Sequence, residues 1–228
     1  MGNTIKYAGI LGLICVVMGG AIGLSYSTMK DRIARKELEV TLMALDQVLP
    51  AEAQKPIRVI NGLEPGDRDA VYAAVNDRGE TIGYAAIGGQ QGYSSRVEVM
   101  VGVRPNVSDL DAVEVIAIAV VSQQETPGLG TRIEERKSSK TIWDVVSLSD
   151  KEETFTSPFL DQFQGKTYNT LEVVKIADGE HVQAVTAATI SSTAAVEAVR
   201  KAVVRIHETV RGTKTHAHTG ATSRSTRH

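Results

Sequence analysis

Between Tyr7 and Met29 the chain carries no Asp, Glu, Lys or Arg, an uncharged run of 23 residues that as a helix spans about 34 Å. That length crosses a bilayer's hydrocarbon core with room for tilt, so the run predicts a single retained membrane span. A cleaved signal peptide is the rival reading, with Ala21-Ile22-Gly23 as the cleavage site. Against it, the run is longer than an ordinary signal core and Lys6 alone is a thin basic region. Cys15 follows Ile14 rather than a small residue, so it reads as an apolar side chain and not as a lipid-modified one. Gly19 and Gly23 form a GxxxG pair that lets another helix approach, although glycine is common in membrane helices anyway. Lys30, Arg32, Arg35 and Lys36 crowd the C-terminal flank against Lys6 on the other side, and this count favours a cytoplasmic main domain.

After the span, Leu38, Leu42, Leu45 and Val48 recur three or four apart, predicting a short amphipathic helix stopped near Pro50. The period then changes to two. Val71–Val75 and Thr81–Ala86 flank Asn76-Asp77-Arg78-Gly79-Glu80 as a hairpin, Val97, Val99, Val101 and Val103 alternate strictly, and Ala112–Val121 is long enough for a central strand. Such strands predict a largely antiparallel sheet. Ile142–Val146 and Phe159–Phe163 place aromatics in short helical or loop segments, and Thr170–Ile176 and Val182–Val185 read as further strands. A last helix, capped by Ser191 or Ser192, carries Val196, Val199, Val203, Ile206 and Val210 on one face. From Gly212 the composition predicts a disordered tail.

Several functions are excluded early. With 25 basic side chains against 27 acidic ones there is no excess to neutralise phosphates, so no nucleic acid is expected. Aromatic residues make up 4%, too few for a stacking surface, and one cysteine builds neither an internal disulfide nor an iron–sulfur cluster. The Walker, Rossmann, nucleophile-elbow and zinc-protease motifs are missing, and the histidines are not arranged with carboxylates as a catalytic set, so neither catalytic nor metal-ligating residues are assigned. Two segments remain. Glu125-Thr126-Pro127-Gly128-Leu129-Gly130 is a rigid turn whose glycines admit close approach of a flat ligand. Thr186-Ala187-Ala188-Thr189-Ile190-Ser191-Ser192 puts small hydroxyl residues before a helix, where free N–H groups and the dipole favour phosphate, or where they simply cap the helix.

In this order along a single-span chain, these segments resemble the RnfG family of Rnf electron-transport complexes, and more distantly NqrC. Glu125–Gly130 is the family's ETPGLG motif letter for letter, Gly92–Val103 resembles its GY-led strand, and Phe163-Gln164-Gly165-Lys166 resembles its QFxGK turn. Thr186–Ser192 resembles the (S/T)GATxTS segment, whose threonine carries FMN through a phosphoester. The resemblance implies an α+β fold: an N-terminal transmembrane helix, then a mainly antiparallel-sheet FMN-binding domain with flanking helices. It divides the chain into an arm at 1–6, a span at 7–29, an amphipathic helix and linker at 30–62, the FMN-binding domain at 63–211 and a tail at 212–228.

It further implies covalent FMN on Thr189, with Thr186, Ala187, Ala188 and Ser191 about the phosphate. Glu125, Thr126, Pro127, Gly128, Leu129 and Gly130 then wall the ring. The implied role is an electron relay within a ferredoxin/NAD ion-translocating complex in the bacterial inner membrane. Its partners are the other membrane subunits and a flavin transferase, and its soluble domain lies on the periplasmic side, against the flanking charge count. An NqrC-like subunit of a Na⁺-pumping quinone reductase and a flavin-free scaffold of the same fold are the alternatives. Ala187 stands where the family has Gly, and Gln183 where the transferase pattern has Asp. The extra methyl is tolerable at negative φ and costly at positive φ. Thr219-Gly220-Ala221-Thr222 matches the short motif core more literally, but no folded wall is expected around it.

Overall fold

The computed structural model describes residues 2–54, 57–128, 130–134, 137–138 and 155–222; Leu129 and the segment 142–146 lie outside them. The chain divides into two compact units, Met1–Val40 and Thr41–His228.

The first unit is the greater part of helix α1 (Gly2–Val48). Its apolar side chains, among them Ile10, Leu13, Val17 and Leu24, are exposed on all sides, as lipid contact demands. It is the only described helix long and apolar enough to cross a membrane. No Gly or Pro lies between Lys30 and Val48, so the predicted amphipathic helix is not separate but continues α1.

In the second unit, the end of α1 buries Thr41, Ala44, Leu45 and Val48, while Leu42 is exposed. Both stripes obey three-and-four spacing, and spacing alone does not choose between them. The buried residues pack with Tyr72, Ala85, Ile87, Met100 and Ala119 on one face of a sheet. That sheet is a five-stranded antiparallel meander in chain order: β1 (Arg58–Val59), β2 (Val71–Val75), β3 (Thr81–Gln91), β4 (Arg96–Val103) and β5 (Val115–Ser122). Asn76 organises the β2–β3 turn, its Oδ1 accepting from the N–H groups of Arg78 and Glu80. Val97, Val99, Val101 and Val103 all face the second core.

That core is closed by α2 (Thr189–Thr222), which buries Val196, Val199, Val203, Ile206 and Val210 as predicted. A Cβ at Gly88 would strike the Ala198 carbonyl, so the bare backbone of β3 lets α2 lie directly on the sheet. Beyond the sheet, β6 (Lys137–Ser138) and β7 (Phe155–Thr156) form a separate antiparallel pair. The fold is thus α+β and mainly antiparallel.

Four details depart from the sequence pattern. First, β5 is an edge strand, not a central one; its free side is partly covered where the Val115 N–H bonds the Lys166 carbonyl and the Gly165 N–H bonds the Val115 carbonyl, both at 2.9 Å. Second, the strand over Thr170–Ile176 shrinks to β8 (Val173–Val174), paired in parallel with β9 (Val182–Gln183), because a tight 3-10 turn with a reciprocal Thr167–Thr170 cap occupies the residues before it. Third, α2 opens at Thr189, so Ser191 and Ser192 lie inside its first turn instead of capping it. Last, α2 continues past Gly212 to Thr222, where composition predicts disorder; no proline interrupts the backbone ladder there.

Candidate functional site

Three segments meet around one carboxylate. β3 and β4 are joined by Gly92–Ser95, a turn closed by the Gly92 N–H to the Ser95 carbonyl at 2.7 Å. β5 leads into the Glu125–Gly130 turn, and β9 leads through Thr186–Ala188 into α2. Glu125 is 4% exposed. One of its oxygens accepts from the N–H groups of Ser94 (3.2 Å) and Ser95 (3.0 Å) and from the Ser95 hydroxyl (3.3 Å). The other accepts from the Tyr93 N–H at 3.3 Å and the Ser191 hydroxyl at 2.5 Å. Burial by itself pushes this carboxyl up; the Ser191 hydroxyl and the N–H groups of Ser95, Ser94 and Tyr93 outweigh it and hold the group below its ordinary value. Glu125 is therefore an ionised clamp tying a hairpin tip to the first turn of α2.

Gly92 and Gly130 make that clamp sterically possible. A Cβ at Gly92 would lie 2.6 Å from a Glu125 oxygen, and one at Gly130 would lie 2.6 Å from the Glu125 Cβ and 2.8 Å from the Ser191 hydroxyl. The glycine of the turn nearest the site thus admits Glu125 and Ser191. Gly128 supplies positive φ, +74°, and faces open space.

Beside the clamp opens a cleft of about 590 Å³ lined by Tyr93, Glu125, Thr126, Gly130, Ala187, Ala188, Thr189, Ile190 and Ser191. Of the residues singled out from the sequence, Thr186 is in the adjoining turn, where its carbonyl accepts from Arg132 at 3.3 Å. Pro127 and Gly128 do not line the cleft; Gly128 borders a separate groove with Thr131, Arg132 and Glu134. Thr222 ends α2, about 50 Å along its axis from Thr189.

The start of α2 is bare. Its first bond from within is the Ser192 N–H to the Ala188 carbonyl, 2.9 Å, which leaves the N–H groups of Thr189, Ile190 and Ser191 without intrahelical acceptors. Ala188, immediately before the helix, has no side-chain acceptor, and the Ser192 hydroxyl is turned back to accept from the Val185 N–H at 3.0 Å. Thr189 is exposed at this terminus. An anion at the Thr189 hydroxyl would therefore meet unpaired donors and the positive end of the helix dipole. The turn reaches this geometry through Ala187 at φ +65°, the only non-glycine residue with positive φ among the described residues. The conditional cost of that methyl is thus incurred.

Two cleft residues lie within the quoted motifs but are given no role there by the sequence. Tyr93 is 70% exposed and Ile190 57%, each presenting an apolar surface beside Thr189. The Gly92-Tyr93 pair is legible as a motif, but its placement here depends on the distant Glu125.

Residues 92–204 match the FMN-binding domain family. The chain is 31% identical over 206 residues to the G subunit of the ion-translocating oxidoreductase complex of Aliivibrio fischeri (strain MJ11), spanning 85% of this chain and 86% of that one. It is 27% identical over 197 residues to the G subunit of the proton-translocating ferredoxin:NAD(+) oxidoreductase complex of Clostridium ljungdahlii, spanning 86% and 88%. The crystal structure of Shewanella oneidensis NqrC aligns with a TM-score of 0.42 at 16% identity, over 72% of this chain and 70% of that one. The chain belongs to the RnfG family, the G subunits of ion-translocating oxidoreductase complexes, and its folded unit contains an FMN-binding domain.

Proposed function

We propose that this chain is the flavin-carrying subunit of an Rnf-type complex, with FMN joined through its phosphate to the hydroxyl oxygen of Thr189. The observation that carries the reading is the exposed Thr189 hydroxyl at the bare N-terminus of α2, inside a cleft large enough for a cofactor. The donor set fits the group: N–H groups for the phosphate, and apolar Tyr93 and Ile190 surfaces for a ring. Bound there, FMN supplies one- and two-electron redox chemistry, passing electrons between neighbouring centres of the complex. The protein's own residues fix the position. Thr189 tethers, the first turn of α2 receives the phosphate charge, and Glu125 locks that turn to the hairpin.

The Clostridium ljungdahlii relative is named for ferredoxin, NAD⁺ and proton translocation; the same class of complex, with other membrane subunits as partners and a separate flavin transferase for attachment, is proposed here. Helix α1 anchors the chain in the bacterial cytoplasmic membrane, with the FMN-binding domain on the periplasmic side. Protease added to intact spheroplasts should digest that domain and spare a cytoplasmic control, whereas protection would restore the topology that the flanking charges favour.

Attachment is tested by denaturing the purified protein, looking for flavin fluorescence in a gel and locating the added mass by peptide mass spectrometry. Thr189→Ala should abolish both signals, and deletion from Gly212 should abolish neither. FMN on the Thr219–Thr222 peptide would overturn the assignment. The positive φ of Ala187 favours the flavin-free scaffold as the second reading, and absence of any covalent flavin in protein co-expressed with a transferase would establish it.

A further inference from the structure

We infer that Tyr93 is the face against which the isoalloxazine ring lies, and that Glu125 is the positioning residue holding this face in register with the tether at Thr189. The inference rests on the FMN reading above and adds to it the residues that hold the ring. A phosphoester fixes only the end of the ribityl chain; the ring swings unless a second surface receives it. Tyr93 lines the same cleft as Thr189, and it is 70% exposed on a turn whose N–H groups at Tyr93, Ser94 and Ser95 are all bonded to Glu125. A large aromatic side chain exposed on a rigid turn serves no core, and its flat face suits offset stacking on another flat π-system. Ile190, next to the tether and 57% exposed, borders the same space with an apolar side chain.

The second element is the coupling between the two points. A single Glu125 oxygen accepts from both the Tyr93 N–H at 3.3 Å and the Ser191 hydroxyl at 2.5 Å. Ser191 is two residues from Thr189 on the same helical turn. Platform and tether therefore hang on one atom, and the distance between them is set by two hydrogen bonds rather than by loose chain.

The readout is flavin fluorescence in the folded protein. A phenol in contact with the excited ring donates an electron to it and takes that electron back without emission, so stacking on Tyr93 quenches. The full-length protein, Tyr93→Phe and Tyr93→Leu would each be purified with FMN attached, the attachment being verified first on the Thr189 peptide. No FMN in any of the three would count against the tether at Thr189 and not against the platform. With FMN attached, the native wild type should emit several-fold less than the same protein unfolded. Tyr93→Phe should recover most of that emission while keeping the ring shielded from iodide. Tyr93→Leu should recover emission and lose the shielding. Glu125→Gln, which keeps the shape but loses an acceptor, should broaden the native emission lifetime into several components. Equal emission and equal iodide access in the wild type and both Tyr93 variants would overturn the inference. Because Tyr93 is exposed, its substitution spares the core, and matched melting curves verify that.

Discussion

Replacing Ala187 by Gly should stabilise the folded unit, and the expected size follows from one backbone angle. Ala187 sits at φ +65°. A residue with a Cβ is disfavoured by about 1–2 kcal/mol in that region, where the Cβ crowds the following carbonyl. Glycine removes the crowding but carries roughly 0.4–1 kcal/mol of extra chain entropy into the unfolded state. The difference leaves about 0.5–1 kcal/mol in favour of the variant, which in a domain of this size raises the melting temperature by about 1–4 °C. The assay is a thermal melt of the full-length protein in detergent, followed by circular dichroism, with Ala188→Gly as the control. Ala188 is buried at negative φ, so its variant loses a packed methyl and gains chain entropy; it should be less stable by about 0.5–1 kcal/mol and melt at a lower temperature. A melting temperature for Ala187→Gly equal to or below that of the parent would refute the reasoning, because the left-handed turn before α2 would then carry no strain to relieve.

Glu125→Ala should cost about 3 kcal/mol or more in a urea titration, since three N–H groups and the Ser191 hydroxyl lose a buried acceptor. Because the folded carboxyl is held below its ordinary value of 4.5, its contribution is complete above that pH and is lost as the pH falls through the lowered folded value. The stability gap between the parent and Glu125→Gln should therefore narrow on acidification below pH 4.5; a gap that widens would reverse the sign. Gly130→Ala should destabilise by about 1–3 kcal/mol, its methyl pressing on Glu125 and Ser191, and, if FMN is carried as proposed, shift its absorption, whereas Gly128→Ala meets open space and should lose only what its backbone angle demands. Away from the site, Asp178 accepts from the His181 backbone and ring, the ring contact being 2.6 Å, and is lowered to about 2 while His181 is raised. An NMR titration of Asp178→Asn should move the His181 ring down toward its ordinary value, and an unchanged midpoint would remove Asp178 as the cause.

What the linear pattern shows, and what it hides, divides by range. The valines of β4 and α2 are legible because burial on a strand or helix repeats at the local period, and the uncharged run of α1 because a bilayer sets its length. Glu125 is legible only as part of a turn. In the structure its oxygens are engaged by Tyr93–Ser95 and Ser191, so its polarity is turned inward to join segments. Nothing near Glu125 in the chain announces those partners. The same holds for Ser191 and Ser192, which have the right chemistry for a cap but are drawn past the cap position by the tight turn at Ala187. β5 reads as a central strand because its apolar run is long, yet the cover over its free edge comes from Gly165–Thr167, some fifty residues away.

The clamp on Glu125 joins groups 30 and 66 residues apart. Loops of that span close slowly, and a chain leaving the ribosome from its N-terminus has exposed the hairpin and the ETPGLG turn well before α2 emerges. The first turn of α2 thus takes its final geometry only after α2 has emerged and docked on the hairpin. A modifying enzyme that recognised Thr189 only in that geometry would act as an inspector, labelling completed chains and passing over those stalled with the hairpin formed and α2 undocked. The fraction of flavin-labelled protein in a cell would then measure maturation, and a variant that merely slows docking of α2 would look like a defect of attachment although every residue of the attachment site was intact.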